Sequence, residues 1–184
     1  MSSRIVVLNE ETANKIAAGE VVERPASIVK ELVENAIDAG ASDIRVELGK
    51  GGCEFITVID NGSGIEHEDV ALAFERHATS KIHHFEDIYR VSSFGFRGEA
   101  MPSIASIARV ELITRRREDL AGTRAIIEAG VIKEIMPAGC SEGTQIHVTR
   151  IFENVPARRK FLKAEATERG LCLDAIARLA LAHP

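Results

Sequence analysis

The chain has 184 residues, 45% hydrophobic and 28% charged, with a net charge of −5. That length suits one ordinary domain with a sizeable core, and the composition is not that of a disordered chain. The acidic balance excludes a surface attractive to nucleic acid as a whole, and 4% aromatic residues without any Trp exclude a base-stacking platform.

The opening "MSSRIVVLNEETANK" lacks the basic-then-apolar pattern of a secretory leader, and no apolar run approaches the roughly 20 residues of a membrane span. After the short apolar piece 5–8, Asn9 caps a helix through "EETANKIAAG" that Gly19 closes. Pro25 begins a second helix running to about Ala39, with Gly40 as its stop. "DIRVELG" alternates Ile44, Val46 and Leu48, and "KGG" turns the chain into a second strand, "CEFITVI", so a hairpin is expected. A helix over 66–75 would place Val70, Ala73 and Phe74 on one side. Residues 77–98 form a long polar stretch with Gly95 and Gly98, the kind of loop that compact domains keep for function. "EAMPSIASIA" is helical, with Pro102 tolerated only near its first turn. Strands follow near 109–114, 124–128, 131–135 and 144–149, then helices from "ARRKFLKA" and "ATERGLCLDAIARLALA". This order predicts an α+β fold with a largely antiparallel mixed sheet. The closing "RLALAHP" ends a helix on a Pro, as if a further element followed in a longer protein.

Cys53, Cys140 and Cys172 are widely spaced without any Cys-x-x-Cys, and the six histidines contain no His-Glu-x-x-His, so neither a disulfide framework nor a zinc site is expected. Buried, inert thiols in a reducing cytoplasm fit best.

Chemistry concentrates in four segments. On the helix of "ELVENAIDAG", Val29, Leu32, Val33, Ala36 and Ile37 make one apolar stripe, with Glu31, Asn35 and Asp38 opposite. This reads as a wet face, or as a neutral oxygen for magnesium beside a carboxylate that holds a water in line with a phosphate. Spacing alone does not choose between Glu31 and Glu34. "VIDNGSGI" reads as a turn, yet it also puts Asp60 at the tip of an apolar strand, where a part-buried carboxylate needs a donor such as the adenine amine. "FGFRGEA" pairs Gly95 and Gly98 just before a helix start, where backbone N–H groups cradle phosphates. "SEGTQI" sets Gly143 and Thr144 at a strand start. No dinucleotide fingerprint or Walker-type loop occurs.

Taken in order, these segments resemble the ATP-binding module of the gyrase, Hsp90, histidine kinase and MutL superfamily. "NKIAAGEVVERPASIVKELVENAIDAG", "RHATSKI", "FGFRGEA" and "PARRKFLK" closely resemble the N-terminal region of the MutL family of DNA mismatch-repair ATPases, and the likeness runs nearly the whole chain. It implies a two-layer Bergerat-type ATP-binding fold with helices on one sheet face, and ATP with Mg2+ as cofactors. It implies Glu31 as general base, Asn35 as magnesium ligand, and Asp60 as acceptor for the adenine amine, aided by Thr144 through a water. Gly62 and Gly64 would line the base pocket. Thr79, Ser80 and Lys81 would meet ribose and phosphates, and Gly95, Phe96, Arg97, Gly98, Glu99 and Ala100 would hold the triphosphate.

The resemblance also implies domains: a dimerisation arm over 1–19, an ATP-binding domain over 20–184 with a lid at about 77–98, and a second subdomain beyond residue 184 that brings a phosphate-contacting lysine. The implied activity is slow ATP hydrolysis, weak or absent in this piece alone, with ATP binding ordering the lid and driving dimerisation. Implied partners are a second copy, a mismatch-recognition protein of the MutS type, strand-incision and helicase partners, and DNA weakly, in the bacterial cytoplasm. The rival reading is a nucleotide-gated interaction module with incidental hydrolysis. A kinase of the same fold would need an acceptor histidine in a dimerisation helix, and none is evident. Met101-Pro102 departs from the family pattern and would stiffen the helix after the lid. Arg115-Arg116-Arg117 reads as a solvated turn, and Arg158, Arg159, Lys160 and Lys163 as a contact for the second subdomain, ahead of DNA.

Overall fold

The computed structural model describes residues 6–7, 19, 21–78, 94 and 98–183. Alternation of apolar and polar residues builds six strands: β1 (Ile44–Gly49), β2 (Phe55–Asp60), β3 (Arg109–Arg115), β4 (Gly122–Glu128), β5 (Val131–Ala138) and β6 (Gly143–Thr149). They form one sheet in the order β1-β2-β6-β3-β4-β5, with every pairing antiparallel. The strand that comes last in sequence thus lies between β2 and β3, a placement that the sequential reading of the strands did not contain.

One phase of the alternation faces the helices. Ile56, Val58, Val110, Leu112, Ala125, Ile127, Ile146 and Val148 are all buried there. The opposite phase carries Glu111, Arg124 and His147, with Arg124 Nε on Glu111 Oε1 at 2.7 Å and Thr57 Oγ1 bonded to His147 Nδ1 at 2.8 Å. The β1–β2 hairpin closes through the single turn Lys50–Gly52, where Gly51 and Gly52 take φ of 67° and 88°.

Five helices are described: α1 (Pro25–Asp38), α2 (Asp69–Leu72), α3 (Ala100–Ile107), α4 (Pro156–Arg159) and α5 (Glu165–Ala182). Pro25 opens α1 with its fixed φ and missing donor, and Gly40 at φ 72° lets the chain leave it. The expected stripe is buried at Val29, Leu32, Val33 and Ala36, with Ile28 added, against the sheet and α5. Ile37 is only partly buried. Pro102 sits in the first turn of α3, where it costs nothing.

Two helices are shorter than their sequences suggest. The 66–75 segment is α-helical only over Asp69–Leu72, and the chain soon reaches His77 at φ 64°. Val70 is nevertheless fully buried and Phe74 packs on the core. The "ARRKFLKA" segment is α-helical only over Pro156–Arg159, because the Lys163 N–H serves the buried Glu168 at 2.9 Å and so begins α5. Residues 8–18, assigned above to the N-terminal helix and arm, lie outside the described residues.

Candidate nucleotide site

At the end of β2, the core-facing phase stops being apolar. Asp60 pairs across the sheet with Thr144, Thr144 with Thr114, and Thr114 with Thr123. A polar row thereby caps the core, with Thr114 1% exposed and Thr144 9%. Asp60 Oδ1 accepts the backbone N–H of Gly62 at 2.8 Å and of Thr144 at 3.3 Å. Both bonds fall on one oxygen, so among the described residues Oδ2 has no donor and is left for one from outside. Burial pushes the Asp60 carboxyl above its ordinary value, and the two backbone donors oppose that shift.

Thr114 Oγ1 accepts Ile65 N–H at 2.9 Å and contacts the Gly143 carbonyl at 3.1 Å and Thr144 Oγ1 at 3.0 Å. Sequence reasoning missed this residue. Its signal was present: in "RVELIT", Thr114 occupies the same phase as the buried Val110 and Leu112.

The turn after Asp60 is tied to the helix layer. Asn61 Oδ1 accepts Ser42 and Asp43 N–H, each at 2.9 Å, and Ser63 N–H meets Ala39 O at 3.0 Å. These bonds hold the β2 tip against the C-terminal end of α1. Two glycines make the fit possible for reasons internal to the protein. A Cβ on Gly64 (φ 70°) would lie 2.4 Å from Arg115 O, and one on Gly143 (φ 102°) 2.0 Å from Asp60 O. Gly62 abuts Ala39 in the same way, at 2.8 Å from its Cβ.

On α1, the acid that spacing left in competition with Glu31 is the buried one. Glu34 is 6% exposed and holds Lys30 Nζ at 2.9 Å. Glu31 is half-buried and meets the same Nζ at 3.4 Å. Asn35, one turn on, is half-buried, and its side-chain amide makes no hydrogen bond among the described residues. Glu31 and Asn35 are therefore not on a wholly wet face. Asp38 accepts Phe94 N–H at 3.2 Å.

No cluster of three or more His, Cys, Asp or Glu able to hold a metal occurs among the described residues. The donor set fits magnesium arriving with a nucleotide: one uncommitted amide oxygen at Asn35, to be completed by phosphates and waters.

Gly98 takes φ 63° and packs against Ala78, whose carbonyl oxygen would lie 2.3 Å from an added Cβ. Glu99 faces His77 Nδ1 at 3.4 Å, and Ala100 opens α3. Thr79, Ser80, Lys81, Gly95, Phe96 and Arg97 lie outside the described residues, as does most of the expected lid.

The basic segments divide. Arg158 is engaged within the chain: its guanidinium lies over Gly19 and reaches Val22 O at 3.4 Å. That engagement ties Arg158 to the N-terminal side of α1, while Arg159, Lys160 and Lys163 are exposed. Arg116 binds both Asp119 oxygens at 3.0 Å and Glu66 at 2.9 Å, so the 115–119 turn is knitted to the protein more firmly than a solvated turn. Of the cysteines, only Cys172 is buried, its thiol pushed up to about 11 chiefly by that burial; Cys53 and Cys140 are half-buried.

Residues 23–136 match the family model described as histidine kinase-, DNA gyrase B- and HSP90-like ATPase. The whole chain is 66% identical to a DNA mismatch repair protein MutL from Syntrophus aciditrophicus, spanning 30% of that relative's length. Among solved structures, the Aquifex aeolicus MutL ATPase domain complexed with ADP aligns at 37% identity and a TM-score of 0.67, over 88% of this chain and 56% of that one. The N-terminal domain of a DNA repair protein aligns at 30% identity and a TM-score of 0.74, over 89% of this chain and 47% of that one.

Proposed function

Because the chain belongs to the histidine kinase-, DNA gyrase B- and HSP90-like ATPase family and resembles MutL along its whole length, we propose that it is the ATP-binding, slowly hydrolysing module of a DNA mismatch-repair protein. The observation that carries the reading is the Asp60 carboxylate, with one oxygen locked by two backbone amides and the other open beside the end of α1.

In this reading Asp60 Oδ2 accepts from the purine amine, and Thr144 supports it through a water. Gly62 and Gly64 shape the wall on which the base lies. Asn35 offers its amide oxygen to Mg2+, which when bound neutralises charge on the phosphate oxygens. Glu31 accepts a proton from the attacking water and keeps that water in line with the terminal phosphorus. Phosphoryl transfer rests mostly on positioning, so an ordinary carboxylate suffices. Backbone N–H groups of Gly98, Glu99 and Ala100 face the phosphates, joined by Gly95, Phe96 and Arg97. Thr79, Ser80 and Lys81 complete the ribose and phosphate contacts.

Nucleotide binding then orders residues 77–98 and recruits residues 1–19 into a dimer, which signals between a mismatch-recognition protein and strand incision. The second subdomain of the longer protein supplies the remaining phosphate contact, so this piece alone hydrolyses weakly or not at all. In this reading the site of action is the bacterial cytoplasm, where the DNA to be repaired lies.

The test is Glu31→Ala in the full-length protein. Nucleotide affinity should stay within about threefold, while turnover falls by roughly two orders of magnitude or more. Mismatch repair surviving at wild-type level in that variant would instead support the module whose signal is binding alone.

A further inference from the structure

Thr114 stands at the centre of the polar row, on the strand beside the one that carries Thr144. Its Oγ1 meets Ile65 N–H at 2.9 Å, the Gly143 carbonyl at 3.1 Å and the Thr144 hydroxyl at 3.0 Å. A threonine hydroxyl has one proton and two lone pairs. The amide can only donate and the carbonyl can only accept. One lone pair of Thr114 therefore takes the Ile65 proton, and the Thr114 proton goes to Gly143. The second lone pair is then filled by the proton of Thr144. Any other arrangement leaves two oxygens in contact without a proton between them, in a place 1% exposed.

Thr144 is consequently spent as a donor. Its N–H belongs to Asp60 and its hydroxyl proton to Thr114, so its oxygen has only lone pairs to show. Asp60, beside it, is also an acceptor. We propose that Thr114 is a specificity-setting positioning residue: by consuming the Thr144 proton it makes the Asp60–Thr144 pair accept only. Such a pair takes a purine bearing a 6-amino group, which has two N–H bonds to give, and turns away a 6-oxo purine, whose oxygen would meet only lone pairs. This rests on the reading that Asp60 and Thr144 face the purine, Thr144 through a water: with both residues acceptors, that water gives them its two protons and itself shows the purine only lone pairs.

The experiment measures equilibrium binding of ATP and of inosine triphosphate to the full-length protein, the two ligands differing at position 6 and the adjacent ring proton. Thr114→Val frees the Thr144 proton to rotate toward the bridging water, which can then turn a proton of its own to a 6-oxo group. The ATP preference should shrink about tenfold or more, mainly through tighter inosine triphosphate binding. Thr114→Ser, which keeps the hydroxyl, should stay within about twofold of wild type. If Thr114 only held the fold together, Thr114→Val would weaken both nucleotides alike and leave their ratio unchanged, and that result overturns the assignment.

Thr144→Ala tests the same point whether or not Thr114→Val folds, since it deletes the acceptor itself. A ratio unchanged in Thr144→Ala also overturns the proposal. Wild-type protein that binds both nucleotides equally refutes the base-binding reading beneath it. A normal wild-type preference that persists in the variants refutes the Thr114 assignment alone.

Discussion

Asp60→Asn separates recognition from folding. The asparagine oxygen can occupy the Oδ1 position and keep both backbone donors, Gly62 N–H at 2.8 Å and Thr144 N–H at 3.3 Å. Its NH2 then takes the place of Oδ2 and, in the proposed site, points a donor at the purine amine. One hydrogen bond to a charged acceptor is lost, about 1.5–3 kcal/mol, and a desolvated donor is left unpaired, about 1–3 kcal/mol. The sum, about 2.5–6 kcal/mol, predicts ATP binding weakened by roughly two to four and a half orders of magnitude. Stability moves the other way. Burial raises the Asp60 carboxyl, so its ionisation costs the folded state stability progressively as pH rises from the unfolded to the folded pKa, and fully above both. Asparagine removes that cost, and the variant should melt at or above the wild-type temperature at neutral pH. Titration calorimetry with ATP and a thermal melt on the full-length protein give both numbers. A binding constant within threefold of wild type in a normally folded variant would refute the placement of the purine.

Three further outcomes follow from the packing. Gly143→Ala forces a Cβ to 2.0 Å from Asp60 O at φ 102°, backbone against backbone, and should cost about 3 kcal/mol or more in urea unfolding. Gly170→Ala, within α5 and with nothing inside 4 Å of the new Cβ, should stabilise by roughly 0.5–1 kcal/mol in the same assay. Its failure to do so would mean that this helix is not solvent-facing there. The Arg124 hydrogen bond holds Glu111 below its ordinary value, so that interaction's stabilisation is present above the unfolded pKa and is lost as pH falls through the folded one. Thermal melts on the acid side of 4.5 should therefore show a limb that Arg124→Gln flattens.

Local punctuation made much of this structure readable. Pro25 and Gly40 bracket α1 because each has a backbone preference that acts without neighbours, and the alternation in "DIRVELG" and "CEFITVI" declares a hairpin for the same reason. What could not be read depends on contacts distant in sequence. Glu34 is buried through its pairing with Lys30 and the packing around α1, while helix periodicity treated it as a spare acid. The "ARRKFLKA" segment has good helix formers throughout, yet Glu168 claims the Lys163 N–H and Arg158 is drawn to Val22. Thr114 acquires its role from the register that sets β3 against β6, and no single segment encodes that register. Asp60 stood out by its place at the tip of an apolar strand, whereas Thr144 was singled out only through family resemblance; their direct bond spans 84 residues of sequence.

The place of β6 has a consequence for biosynthesis. A chain emerging from the ribosome has β2 and β3 complete long before the strand that must lie between them appears, and until then both expose raw backbone edges. Such a nascent chain has an aspartate without its threonine and two half-sheets that cannot yet join. Competence to hold a nucleotide therefore arrives late and all at once, and truncation anywhere before residue 149 should yield sticky halves in place of a smaller working domain.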